Sequence, residues 1–144
     1  MSERTEEIIR DACPDGVIES RDLFGITNLK LQPSALHKVG TLLAEKGLDY
    51  LADITTIDWN DRIEVVYQFT NLDSNEKVAL RVDLDRQKPE VDSLIDIWKG
   101  ADFQEREAFD LMGVVFKGHP DLRRILLPED WEGYPLRKDY VIPD

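Results

Sequence analysis

Three alternating runs between residues 50 and 85 limit what this chain can fold into more than any other feature. The middle run, RIEVVYQFTN (62–71), places Ile63, Val65, Tyr67 and Phe69 two apart. Successive side chains of a strand point to opposite faces, so the run predicts a half-buried strand. KVALRVDLD (77–85) repeats the pattern with Val78, Leu80, Val82 and Leu84. YLADITTIDW (50–59) is rich in β-branched residues, which suit a pleated surface. The polar turns NDR (60–62) and LDSNE (72–76) join the three runs. Connections this short predict an antiparallel meander.

One apolar face of such a meander must be covered, and two amphipathic stretches are available. Residues 3–13 set Ile8, Ile9 and Ala12 against Glu6 and Arg10, and the segment from Pro14 to Gly16 ends that helix. Pro33 and Ser34 open a second helix through about Lys46, with Leu36, Val39 and Leu43 at helical spacing and Gly47 as its stop. Val17–Ser20 and Thr27–Leu31 are further strand candidates. After Pro89, the residues Val91, Leu94, Ile95 and Trp98 recur at i, i+3, i+4 and i+7 and predict a short helix. Another is predicted over Asp102–Met112, with Phe103, Arg106, Phe109 and Asp110 on one face and Gly113 as cap. From Lys117 onward periodicity gives way to the turn chemistry of KGHPD, LPED, EGYP and IPD.

The expected fold is therefore α+β: an antiparallel-rich sheet of about four to five strands with two helices on one face. Two short helices and an irregular C-terminal segment follow. At 144 residues the chain suits a single domain over 1–144, with a sheet core in 1–88 and a distinct remainder in 89–144.

Charge and motif content remove several function classes. The net charge of −12 disfavours nucleic acid, which binds through cations that neutralise phosphate, and disfavours docking on anionic lipid through a basic patch. Cys13 is the single cysteine, which excludes an internal disulfide and fits a reducing compartment. The polar start MSERTEEIIRDA is no secretory signal, and no apolar run approaches the roughly 18 residues of a membrane-spanning helix. A cytosolic or membrane-peripheral place is expected.

Cys13, His37 and His119 are isolated in sequence, so neither a closed zinc site nor an iron–sulfur cluster is expected. His37 reads as a surface residue of the second helix and Cys13 as packing at the end of the first. Neither G-x-G-x-x-G nor G-x-x-x-x-G-K-[ST] occurs. The serines lack a nucleophile elbow, and Cys13 lacks a context for an activated thiolate. Glu105 and Glu107 flank Arg106 and are the one carboxylate pair to consider for acid–base chemistry. Two residues apart on a helix, they point to different sides, whereas Arg106 and Asp110 stand at i, i+4 and can pair locally.

The last third reads better as a recognition surface. Trp131, Tyr134 and Tyr140, with Arg123, Arg124 and Arg137, are residue types enriched in interface cores. Prolines 120, 128, 135 and 143 restrict the backbone and lower the entropy lost on docking. Leu122, Ile125, Leu126 and Leu127 are placed to face inward while the arginines face a neighbour.

The segment EREAFDLMGVVFKGHPDLRRILLPEDWEGYPLRKDY (105–140), preceded by DIWKGADF (96–103), resembles the signature of the complex I 30 kDa family, the C subunit of respiratory NADH dehydrogenase. ITTIDW (54–59) followed by RIEVVYQF (62–69) fits the same family's strand pair. The resemblance implies a non-catalytic peripheral-arm subunit of a proton-translocating NADH:quinone oxidoreductase, on the cytoplasmic side of the cell membrane. It implies packing against the large quinone-site subunit and near the iron–sulfur subunits. FMN, iron–sulfur clusters and quinone would belong to the complex and none to this chain. The equivalent subunit of a related membrane-bound hydrogenase or deazaflavin-dependent dehydrogenase is the alternative within this ancestry. A stand-alone enzyme using Glu105 and Glu107, and a free adaptor, are the rivals outside it.

By position, Glu105, Arg106, Glu107 and Asp110 match the family's acidic–basic helix, and His119, Pro120, Asp121, Arg123 and Arg124 match its GHPDLRR turn. Pro135, Leu136, Arg137, Lys138 and Asp139 match its closing strip. Partner contact is expected of Arg123, Arg124, Trp131, Tyr134, Arg137 and Lys138, with Glu105 and Asp110 bracing the turn. Many relatives carry proline after the KDY-like end and then a wrapping tail. Val141 stands there in this chain, and such a tail is not expected.

Overall fold

The computed structural model describes residues 2–141. Helix α1 spans Ser2–Ala12, strands β1 and β2 span Val17–Leu23 and Ile26–Leu31, and a 3-10 turn at Pro33–Ala35 leads into α2, Leu36–Glu45. Strands β3 (Tyr50–Asp58), β4 (Arg62–Thr70) and β5 (Lys77–Asp85) follow, then β6 (Glu90–Asp92), α3 (Ala101–Met112) and β7 (Val115–Lys117).

The meander forms as its turns require. β4 pairs antiparallel with both β3 and β5, placing Tyr67 against Ile54 on one side and Leu80 on the other. The full sheet runs β1-β2-β5-β4-β3. The β1–β2 hairpin adds to it through a parallel pairing of β2 with β5, Leu29 opposite Leu80 and Leu31 opposite Val82. The sheet is thus mixed, with β1 and β3 as its two edges.

One face carries the core. Ile63, Val65, Tyr67, Phe69, Val78, Leu80, Val82, Leu29 and Leu31 join Ile9 of α1 and Leu36, Val39 and Leu43 of α2 in a single cluster. Cys13 is buried at the end of α1, in the same cluster. Burying one such side chain stabilises by about 1.5–3 kcal/mol. The opposite face of the sheet is lined with charge. Lys30 bonds Glu64 and Asp83 at 2.6 and 2.8 Å, and Arg81 reaches Glu64 at 3.3 Å.

The helix expected after Pro89 does not form, so one short helix follows the sheet rather than two. Glu90–Asp92 is a strand, β6, in parallel register with β7, with Val91 opposite Phe116. Ser93 and Leu94 then hold the chain in a turn. The Ser93 hydroxyl and the Leu94 amide both donate to the Glu105 carboxylate, at 2.5 and 2.8 Å, and the Ile95 amide donates to Ser93 Oγ at 3.1 Å. A serine bonded to nearby backbone competes with helix formation. Val91, Leu94 and Trp98 still enter the core, with the Trp98 ring 4.7 Å from Phe69 between centroids. The helix predicted over 102–112 forms as α3 and crosses against edge strand β3.

A candidate docking surface held by buried carboxylates

Beyond β7 the described residues form no regular element, yet residues 118–141 follow one path over α3 and the end of the sheet. Two buried carboxylates hold this strap. Asp110, on the inner side of α3, is fully buried. Its Oδ2 accepts the amides of Ile125, Leu126 and Leu127 at 3.1, 2.7 and 3.0 Å, and its Oδ1 accepts Arg124 Nη1 at 2.8 Å. Arg124 also donates to the carbonyls of Asp110 and Gly133, closing the strap onto the helix. Burial alone would raise the Asp110 pKa. The arginine and the three amides outweigh it and hold the carboxyl below its ordinary value.

Asp58 performs the same service from the end of β3. Arg86 donates to it through two nitrogens, at 2.9 and 2.8 Å. The Asn60 and Lys138 amides each donate at 2.9 Å. The Arg86 hydrogen bonds are the largest of several effects that hold the Asp58 carboxyl far below the usual range. A bidentate guanidinium–carboxylate pair fixes orientation as well as charge. Asp58 thereby ties the closing strip, 80 residues later, to the sheet.

A glycine fits Tyr134 into the strap. Gly113 caps α3 with φ +79°, and a Cβ built there would lie 2.8 Å from the Tyr134 ring and 3.0 Å from Arg137. The Arg124 and Arg137 guanidinium carbons stand 5.1 and 5.4 Å from that ring's centroid, within cation–π range. Arg137 Nε also donates to the Met112 carbonyl at 2.7 Å.

The residues singled out by sequence therefore divide into two sets. Arg124, Tyr134 and Arg137 turn inward and hold the strap. Arg123, Trp131 and Lys138 are exposed, as are Leu126 and Leu136. Arg123 pairs with Asp121 and Glu129 on the surface, at 3.0 and 3.4 Å. Asp139 lies 3.3 Å from Arg86, on the outer side of the Asp58 pair. The His119 ring is buried; its Nδ1 accepts the Asp121 amide at 3.0 Å, and its Nε2 lies 2.9 Å from Asp102, outside good hydrogen-bond alignment. Pro120 is exposed at the head of this turn.

The local pairing of Arg106 with Asp110 does not occur, because Arg124 occupies Asp110. Arg106 instead donates to the carbonyls of Arg123 and Arg124 at 3.3 Å each. Glu105 is buried against the turn at 93–94, and burial raises its pKa despite the hydrogen bonds from Ser93 and Leu94. Glu107 is exposed on the other side of the helix, beside Thr55, Thr56 and Leu136. The two carboxylates share no space and do not form an acid–base pair. Among the described residues, no group of three or more His, Cys, Asp or Glu is placed to hold a metal ion.

Sequence reasoning missed Asp58 and Arg86. Asp58 reads as the last residue before a polar turn, which it also is, since its Oδ1 accepts the Asn60 amide. Nothing near it in sequence announces partners 28 and 80 residues away.

A small sheet backs a strap fixed by buried carboxylates, with Arg124 and Arg137 turned inward and Leu126, Trp131 and Leu136 outward, and this is the candidate docking surface. Residues 29–144 match the family described as respiratory-chain NADH dehydrogenase, 30 Kd subunit. The chain belongs to this family. It is 47% identical over 126 residues to the C subunit of the NADH-quinone oxidoreductase of Moorella thermoacetica, covering 85% of each chain. It is 38% identical to the J subunit of the chloroplastic NAD(P)H-quinone oxidoreductase of Physcomitrium patens, over 85% of this chain and 76% of that one. Among solved structures, the trypsin-resistant fragment of Nqo5 superposes with TM-score 0.72 at 29% identity, covering 83% of this chain and 99% of that one. A chain of the membrane-bound sulfane sulfur reductase, an archaeal respiratory membrane complex, shares the fold with TM-score 0.84 at 22% identity, over 98% and 86% of the two chains.

Proposed function

We propose that this chain is a non-catalytic peripheral-arm subunit of a proton-translocating NADH:quinone oxidoreductase and that its strap docks it to the large quinone-site subunit and the neighbouring iron–sulfur subunits. FMN, clusters and quinone reside in those companions, and the chain holds them in register on the cytoplasmic side of the membrane. Family membership supports the assembly, and the observation that carries the docking role is the strap. An irregular segment fixed by two buried carboxylates presents Leu126, Trp131 and Leu136 to solvent beside Arg123 and Lys138. A surface already ordered before contact loses little entropy on binding. No helix among the described residues is long and apolar enough to cross a membrane.

The test is affinity purification in mild detergent with Trp131→Ala and Arg123→Ala variants. We expect each free chain to keep its circular dichroism and thermal midpoint. We expect Trp131→Ala to recover about tenfold less of the companion subunits, as for loss of an interface anchor. Undiminished recovery from both variants would remove the strap from the interface. Hydrogenase chains among the companions, in place of NADH-input subunits, would move the assignment to the related hydrogenase complex.

A further inference from the structure

A groove of about 200 Å³ opens where α3, β3 and the strap meet. Ile54 and Thr56 share one face of β3 and form one wall. Glu107 and Leu111 of α3 form the other, and Ala108, buried and short, leaves room between them. Leu136 bounds the groove from the strap, held there by its amide, which donates to the Leu111 carbonyl at 3.0 Å. A turn before Glu107, Gln104 Nε2 donates to the Leu51 carbonyl at 3.4 Å and ties α3 to β3. Cofactor and small-molecule sites run from about 300 Å³ upward, so this space suits a single side chain.

Among the described residues that line the groove, Glu107 alone is charged. A second carboxylate stands beside it: the Thr55 hydroxyl, also in the lining, donates to Asp53 at 2.6 Å. Neither carboxylate has an ion pair among the described residues, Lys138 included. Arg106 and Arg137, the sequence neighbours of Glu107 and Leu136, turn away to the carbonyls of Arg123, Arg124 and Met112. Two negative groups and no positive one leave the groove anionic between apolar walls.

We propose that this groove takes a long cationic side chain, lysine or arginine, from the companion subunit that docks on the strap. Its aliphatic stem lies along Ile54, Leu111 and Leu136, and its charged head meets Glu107. The proposal rests on the strap reading and names what that surface requires of its partner. Leu136 belongs both to the groove and to the strap's outward face, 58% exposed, so a partner that covers it takes water from the groove's mouth. Covering Glu107 without supplying a cation would strand a desolvated charge, which is strongly unfavourable. A long basic side chain answers both walls and carboxylate, because it buries its stem while its head keeps a polar partner. The hydroxyl oxygens of Thr55 and Thr56 are acceptors for its remaining hydrogens.

The experiment measures retention of the companion subunits in the assembled complex for Glu107→Gln, Glu45→Gln and Trp131→Ala. We expect Glu107→Gln to retain about tenfold less while the free chain keeps its thermal midpoint. Glu45→Gln, at the end of α2, changes the net charge of −12 by the same one unit and should retain them in full. A photo-cross-linking benzoylphenylalanine at position 136 should capture the subunit captured from position 131, at a segment bearing Lys or Arg. Neutralising that cation should lower retention about tenfold in the parent and under about twofold in Glu107→Gln, since a pair already broken has nothing further to lose. Loss in Trp131→Ala with full retention by Glu107→Gln would overturn this inference and leave the strap reading standing. Full retention by Trp131→Ala, Arg123→Ala and Glu107→Gln together would overturn both. Equal losses from Glu107→Gln and Glu45→Gln would also overturn it. So would losses that multiply in the double variant, or capture at 136 of lipid, of a second copy of this chain or of a segment without Lys or Arg.

Discussion

Asp110 and Glu105 lie five residues apart on α3, both fully buried, and their pKa values move in opposite directions. The difference lies in what faces each carboxylate. Asp110 has a guanidinium and three amides; Glu105 has one hydroxyl and one amide. A carboxyl lowered on folding stabilises fully above its unfolded value near 3.8, and that contribution is lost as the pH falls through the lower folded value. A carboxyl raised on folding contributes below its unfolded value near 4.5 and loses that contribution as the pH rises through the higher folded one. Asp110→Asn removes the charge that compensates Arg124 and should cost about 3–5 kcal/mol at pH 7, shrinking as acid is added. Glu105→Gln keeps an acceptor for the Leu94 amide and removes a charge that burial penalises. It should cost under about 1 kcal/mol at pH 7. Urea titrations of Glu105→Gln at pH 7 and about pH 4, and of Asp110→Asn at pH 7 and about pH 3, check the pair of signs. The bracing role of Asp110 was expected from its place in the family's motif and not from any local spacing rule. Its partner was not: the nearest arginine in sequence is Arg106, but the side chain that fits is Arg124, 14 residues on.

At the scale of elements, periodicity read the five strands of the main sheet and three of the four expected helices, missed the short pair β6 and β7, and failed where a side chain far along the chain decides the backbone. Val91, Leu94 and Trp98 have helical spacing, and all three are buried. The spacing reported burial and not conformation, because Glu105 of the next helix takes the Ser93 hydroxyl and the Leu94 amide. The strap lacks a period altogether, so only its chemistry was readable, with no indication of which arginines turn inward. Gly113, predicted as a cap, has a second duty in making room for Tyr134. Gly113→Ala meets an unfavourable backbone region and a ring 2.8 Å away. It should destabilise by about 1–3 kcal/mol. The loss should be local. Hydrogen exchange at the amides of 125–127 and 138 should rise while the β4 and β5 amides stay protected. Uniform loss of protection would show instead that α3 and its cap are part of the core's cooperative unit.

For the whole molecule, the meander was legible because its turns are short, and the position of β2 was not. A parallel pairing between β2 and β5 joins strands 51 residues apart, as Thr27 opposite Val78, and no local rule sets that register. The same non-locality shapes the strap. Asp58 at the sheet's end and Asp110 on α3 hold two ends of one strap, and their side chains have no bond in common. If the strap is a single mechanical unit, releasing either end frees most of it, and a second release adds little. Asp58→Asn should by itself reduce recovery of the companion subunits about as much as Trp131→Ala, although Asp58 belongs to the sheet. The double variant Asp58→Asn with Asp110→Asn should fall short of additivity in denaturant stability by at least about 1 kcal/mol. Distant, independent sites add to within about 0.3–0.5 kcal/mol, so additivity at that level would mean that the strap is held in two separate pieces. Coupling, with the far-UV circular dichroism of the sheet unchanged, would place the docking surface under the control of a carboxylate that never touches the partner.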